Sequence, residues 1–81
     1  MGKYDPLMNY LINTGEQTVT VRFTEIGRII GNDLPPSAFK FDQWWENDSS
    51  SPGRQCHAWM EAGYRTAALD RNVGVVTFRL S

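Results

Sequence analysis

The sequence holds one cysteine, Cys56, and one histidine, His57. A lone thiol closes no intramolecular disulfide, and one Cys with one His falls short of the four ligands of a structural zinc site. Neither staple is therefore expected, and a reducing cytoplasm is the expected compartment. Long apolar runs are also missing. The opening "MGKYDPLMNYLINTG" has no apolar stretch behind a basic head, and nothing approaches the roughly 20 apolar residues of a membrane-spanning helix. The expectation is a soluble, untargeted protein with no membrane partner. Internal repeats and low-complexity tracts are absent, and the glycines stand singly, so there is no glycine-rich phosphate loop. Ser49, Ser50 and Ser51 lack the strand-turn-helix setting of a nucleophile elbow.

What is present is enough for one core. A chain of 81 residues supports a single domain, 1–81, and without staples it must bury most of its large apolar side chains. Net charge is −1 but unevenly placed. Residues 1–50 carry four basic groups against seven acidic ones, and residues 51–81 carry Arg54, Arg65, Arg71 and Arg79 against Glu61 and Asp70. A solvated face is the commoner cause of such a bias, and a binding surface toward the C-terminal end is the sharper alternative.

Local patterns give the elements. "DPLMNYLINTG" predicts a helix capped by Asp5, started by Pro6 and ended by Gly15, with Leu7, Tyr10 and Leu11 inward. "QTVTVRF" alternates, setting Val19, Val21 and Phe23 on one face and Thr18, Thr20 and Arg22 on the other, as in a half-buried strand. "FTEIGRIIGN" predicts a second helix capped by Thr24 and closed by Gly31, before "DLPP" redirects the chain. Over 37–46 a third helix is expected, capped by Ser37, with Ala38, Phe41, Trp44 and Trp45 in one arc and Lys40, Gln43 and Asn47 opposite. Phe41, Trp45 and Trp59 are thus expected in the interior, and Phe39 and Trp44 partly exposed. After the loop "NDSSSPGR" a helix over 53–62, with Ser51 as cap, Pro52 at its start and Gly63 at its end, should turn Cys56, Trp59 and Met60 inward and Arg54, His57 and Glu61 outward. "RTAALDRNVGVVTFRL" reads as a hairpin turning near Asp70 to Gly74.

Chemistry-bearing constellations are weak. His57 and Glu61 stand at i,i+4, usually an incidental surface contact. Asp42 and Glu46 alone are a poor metal site, and Cys56 on an apolar face is a small filler. No enzyme, no catalytic residue, no metal and no cofactor are expected.

The element order, helix, strand, helix, helix, extra helix and C-terminal β-hairpin, is that of a small α+β domain like a winged helix-turn-helix. "FTEIGRIIGNDLPPSAF" would be the helix-turn-helix and "TAALDRNVGVVTFRL" the wing. Either 37–46 or 53–62 is available as recognition helix. "YDPLMNYL", "FTEIGRIIGNDLPPSA", "WWEN", "AWMEAGYRT" and "VTFRL" together resemble a group of short, poorly characterised bacterial and phage domains with Y-x-P-L-x-x-Y-L, L-P-x-S-A with W-W-x-N, and A-W-x-x-A-G-Y motifs. The resemblance spans nearly the whole chain and implies no particular activity. Similar domains carry His and Arg where this sequence has "FKFDQ".

The functional expectation is a non-enzymatic nucleic-acid-binding domain, DNA being the expected form, in a regulatory or accessory role. Arg54, Gln55 and His57 would meet bases or phosphates, Arg65, Arg71 and Arg79 would hold backbone, and Lys40, Gln43 and Asn47 would extend the surface; a homodimer would double it. One Lys against three acids over 37–48 argues against that stretch as the phosphate-binding part. The rival expectation is a protein-interaction module, such as a phage or mobile-element inhibitor or adaptor of a host protein, touching it through Phe39 and Trp44.

Overall fold

The computed structural model describes residues 2–48 and 55–81. Its elements are α1 (Asp5–Thr14), β1 (Thr18–Arg22), α2 (Phe23–Ile30), α3 (Pro36–Lys40), a 3-10 turn (Asp42–Trp45), α4 (His57–Met60), β2 (Tyr64–Asp70) and β3 (Val75–Leu80). The strands form one antiparallel sheet in the order β1-β3-β2, and the domain is a small α+β unit. Among the described residues no helix is long and apolar enough to cross a membrane.

The alternation of "QTVTVRF" is realised as read. Val19, Val21 and Phe23 are buried together with Val76 and Phe78 of β3, while the opposite face of the sheet is left to solvent. α1 and α2 pack on the inner face through Leu7, Leu11, Ile26 and Ile30. Both helices end where a glycine takes the left-handed conformation, Gly15 at φ 61° and Gly31 at φ 75°, which a side chain at either position would strain. Between the helices and the sheet runs a column of rings. Trp45 stacks on Phe23 (centroids 4.7 Å apart) and on Trp59 (5.9 Å), and Trp59 meets Phe78 at 5.2 Å.

Two helix starts differ from the sequence reading. Asp5 lies inside the first turn of α1 with Tyr4 at the cap position, and its carboxylate accepts the Gly2 N–H at 2.8 Å. Thr24 does not cap α2, because the chain is already helical at Phe23; Arg22 holds the extended cap position, and the Glu25 carboxylate reaches back to the Arg22 N–H at 3.2 Å.

The expected helix over 37–46 is two pieces. α3 stops at Lys40, Phe41 is extended (φ −127°, ψ 128°), and a 3-10 turn follows. The break is explained by what satisfies the carbonyls it strands. Trp45 donates its indole N–H to the Ala38 carbonyl at 2.8 Å, and Arg71 from the hairpin turn donates to the Lys40 carbonyl at 2.9 Å. Indole and guanidinium thus replace bonds that further helix would have made. Leaving the helix also turns Phe41 out. It is 54 % exposed, against the expectation that it lines the core, whereas Trp45 is 1 % exposed. Phe39 (46 % exposed) and the half-buried Trp44 stand as expected. α4 is also shorter than the expected 53–62 helix, which in the described residues is helical only from His57 to Met60. Ser51, Pro52 and Arg54 lie outside the described residues.

Candidate nucleic-acid interface

The pairing register determines which side chains share the open face of the sheet. Thr18 pairs with Arg79 and Arg79 with Arg65; Thr20 pairs with Thr77 and Thr77 with Ala68; Arg22 pairs with Val75 and Val75 with Asp70. Side chains of paired residues stand on the same face, so these three rows make the outer surface. Its threonines are tied across strands, Thr20 Oγ1 to Thr77 Oγ1 at 3.0 Å.

Arg65 and Arg79 face each other directly, with Cα atoms about 5.5 Å apart by the geometry of such a pair. Both are exposed, and no carboxylate is paired with either among the described residues. Asp70, at the far end of β2, is engaged otherwise: its Oδ1 accepts the N–H groups of Asn72 and Val73 at 3.0 and 3.1 Å. Arg22 lies on the same face two rows away. Its strand alternation already set it apart from the core, but its distance in sequence from the C-terminal arginines hid the association.

The family DUF7662, described as a domain of unknown function, matches residues 4–81. The chain belongs to that family. Comparison with curated proteins and with solved structures gives no match.

Other residues singled out in this DUF7662 chain are drawn into the fold rather than toward the sheet face. Arg71 sits at the hairpin turn, where its Nε donates to the Asp42 carboxylate and its Nη1 to the Phe39 and Lys40 carbonyls. Asn47 is an internal tie. Its Oδ1 accepts both the Trp59 indole N–H and the Thr66 backbone N–H at 2.9 Å, and its Nδ2 donates to the Thr66 carbonyl at 3.2 Å. The carboxamide thereby pairs with β2 like one residue of a further strand and joins W-W-x-N to A-W-x-x-A-G-Y. Gln55 donates to the Trp44 carbonyl at 2.8 Å, and half-buried His57 lies 3.5 Å from Glu61. Lys40 and Gln43 are exposed on α3 and the 3-10 turn, beside the Arg71 tie. Trp44 is held between Tyr4 (5.9 Å) and Trp45 (4.6 Å).

Phe39 packs edge-on against Phe23 at 5.3 Å and borders a groove of about 680 Å³ between α2 and α3, lined also by Gly27, Arg28 and Leu34. Cys56 is buried and donates its S–H to the Asp48 carbonyl at 2.8 Å. Among the described residues no three His, Cys, Asp or Glu side chains converge as a metal site.

Proposed function

We propose that this domain binds nucleic acid, with duplex DNA as the expected form, in a non-enzymatic regulatory or accessory role, and that the outer sheet face carries the contact. The observation that supports this reading best is the Arg65–Arg79 pair. Like charges placed directly opposite each other in a sheet are destabilising, and here no acid of the described residues offsets them. A row of phosphates would. Arg65 and Arg79 take backbone phosphates, with Thr18, Thr77 and Arg22 beside them as further donors.

The strand order β1-β3-β2 with α2, a turn and α3 between β1 and the hairpin favours the winged helix-turn-helix reading, β2 and β3 being the wing. In that reading α3 is poorly cationic, since of its residues only Lys40 is charged, and affinity comes from the sheet. The test is titration of a labelled duplex at two salt concentrations with wild type and an Arg65→Ala, Arg79→Ala double variant. Two lost phosphate contacts reduce the slope of log K against log salt by about 2. Wild type that binds no duplex at about 50 mM salt would end the nucleic-acid reading; equal slopes for both proteins would move the contact off the sheet.

A second reading rests on Phe39 and Phe41, both about half exposed on either side of Lys40. Such a patch suits a protein partner, in the role of inhibitor or adaptor. Phe41 joins the expected Phe39 and the half-buried Trp44 in it. Capture of a partner that is abolished by a Phe39→Ala, Phe41→Ala double variant and untouched by the arginine variant would favour this reading over the first.

A further inference from the structure

The two edges of the sheet are treated differently. At β2 the ladder is bulged between Thr66 and Ala68, and the Asn47 carboxamide occupies the outward N–H and C=O of Thr66. Bulges and covered edges are how sheets avoid pairing with other chains. Among the described residues β1 has no such guard. It is five residues of unbroken register with no proline, lysine or bulge.

Its bonding pattern can be assigned. Leu80 donates to the Gln17 carbonyl and Phe23 to the Gly74 carbonyl, both at 2.8 Å. With the observed register, Gln17, Val19, Val21 and Phe23 therefore turn their backbone groups toward β3, and Thr18 and Thr20 turn theirs to the free edge. The Arg22 N–H on that edge is already taken by Glu25. No described residue bonds the outward N–H and C=O of Thr18 and Thr20.

We infer that a second copy of this chain covers this edge, β1 pairing antiparallel with β1 across a two-fold axis at Val19. In this register Thr18 meets Thr20 of the second copy and the reverse, so that the four free groups of each copy bond to one another. Beyond the paired threonines the same register brings Glu16, ahead of the bend that leads into β1, toward the end of the second copy's strand where Arg22 stands, and symmetry repeats the approach. Glu16 and Arg22 are exposed and unpaired by charge among the described residues. The approach to the strand at Glu16 is also fixed, since buried Tyr64 donates its hydroxyl to the Glu16 carbonyl. A register centred on Thr20 instead would set Thr18 against Arg22, whose N–H is engaged. Charge complementarity and the count of free backbone groups thus select the same register, and the interface is self-complementary as a two-fold requires.

The paired sheets become one of six strands with both outer faces on the same side, because a two-fold relating antiparallel neighbours is perpendicular to the sheet. With strands about 4.8 Å apart and a two-residue offset, the Arg79 residues of the two copies lie about 16 Å apart on that face. The inference is independent of the nucleic-acid reading, and its test uses no nucleic acid.

Sedimentation equilibrium of the full chain between about 1 μM and 1 mM, the range of weak specific association, measures the dimer. Wild type is expected to dimerise reversibly, with slowed amide exchange at Thr18 and Thr20 as dimer forms. Thr20→Pro removes an outward N–H, which an edge strand tolerates, together with the exposed hydroxyl contact to Thr77, and is expected to be a folded monomer by circular dichroism. Glu16→Arg and Arg22→Glu are each expected to weaken dimerisation about tenfold, two exposed ion pairs being turned into repulsions. The double reversal is expected to restore it, which a folding defect would not do. A wild type that stays monomeric throughout the range, a Thr20→Pro variant that dimerises normally, or a double reversal without recovery would each overturn the inference.

Discussion

Asn47→Ala should be among the most destabilising single changes at any half-buried polar residue of this domain. The substitution deletes one acceptor and one donor and leaves three groups without partners: the Trp59 indole N–H, the Thr66 N–H and the Thr66 carbonyl. Trp59 is 1 % exposed, so its N–H bears the full cost of a buried unsatisfied donor, about 2 kcal/mol. Thr66 is half-buried, and each of its backbone groups adds about 0.5–1 kcal/mol because water reaches it in part. The total is about 3 kcal/mol, a large share of the roughly 4–12 kcal/mol available to a chain of this length. Urea denaturation followed by tryptophan fluorescence and by far-UV circular dichroism reads it directly. With a slope near 1 kcal/mol per molar, the midpoint falls by about 3 M. Trp59→Phe removes one of the same bonds, so the double variant should recover about 1 kcal/mol of coupling. A loss under about 0.5 kcal/mol at unchanged slope would refute the claim that this carboxamide ties the 3-10 segment to β2.

Arg71→Lys should behave almost like Arg71→Ala, since an ammonium cannot reproduce the fork spanning Asp42 and the Lys40 carbonyl; the loss, discounted for exposure, is about 1 kcal/mol by thermal denaturation. Thr66→Val should be neutral or stabilising by up to about 1 kcal/mol in the same assay, because the Thr66 hydroxyl is buried with no partner among the described residues and a methyl of similar shape needs none. Burial raises the Tyr4 hydroxyl above its ordinary value of 10.0. Folding is therefore insensitive to this group below about pH 10 and weakens as pH rises from there toward the folded value, because the unfolded chain releases that proton first. Tyr4→Phe should lose less stability than wild type between about pH 9 and pH 11 in urea titrations.

The strands and hairpin were legible because period-two alternation in "QTVTVRF" and "VVTFRL" is a local signal that tertiary packing had no reason to override. Helix ends at Gly15 and Gly31 were legible for the same reason, a left-handed residue being a local requirement. The third helix was not. A 100° wheel over 37–46 places Phe41 with Trp45, and the pattern holds no trace of the distant groups, Trp45 itself and Arg71, that satisfy the carbonyls of a helix ended early. The candidate site was half legible. Arg65 and Arg79 fall on the two arms of the expected hairpin, and their register brings them together. Arg71 reads the same way in sequence, yet Asp42 draws it to the other end. Asn47 looked like a surface amide because the partner that explains it, the Thr66 backbone, is 19 residues away.

A net charge of −1 looks ill suited to a polyanion, and the distribution of the acids removes that objection. Asp5 accepts the Gly2 N–H, Glu25 the Arg22 N–H, and Asp70 two turn N–H groups, while Asp42 pairs with Arg71 and Glu61 with His57. Five of the nine acids are thus held by donors or cations close beside them, whereas Arg65 and Arg79 have no acid of the described residues beside them. Fields between exposed charges fade over about 8–10 Å at ordinary ionic strength, less than the four residues, about 13 Å, that separate the Arg79 row from the Asp70 row along β3. An approaching phosphate therefore meets the local pair and not the chain's balance. The acidic first half weighs against α3 as a phosphate reader and leaves the sheet face untouched.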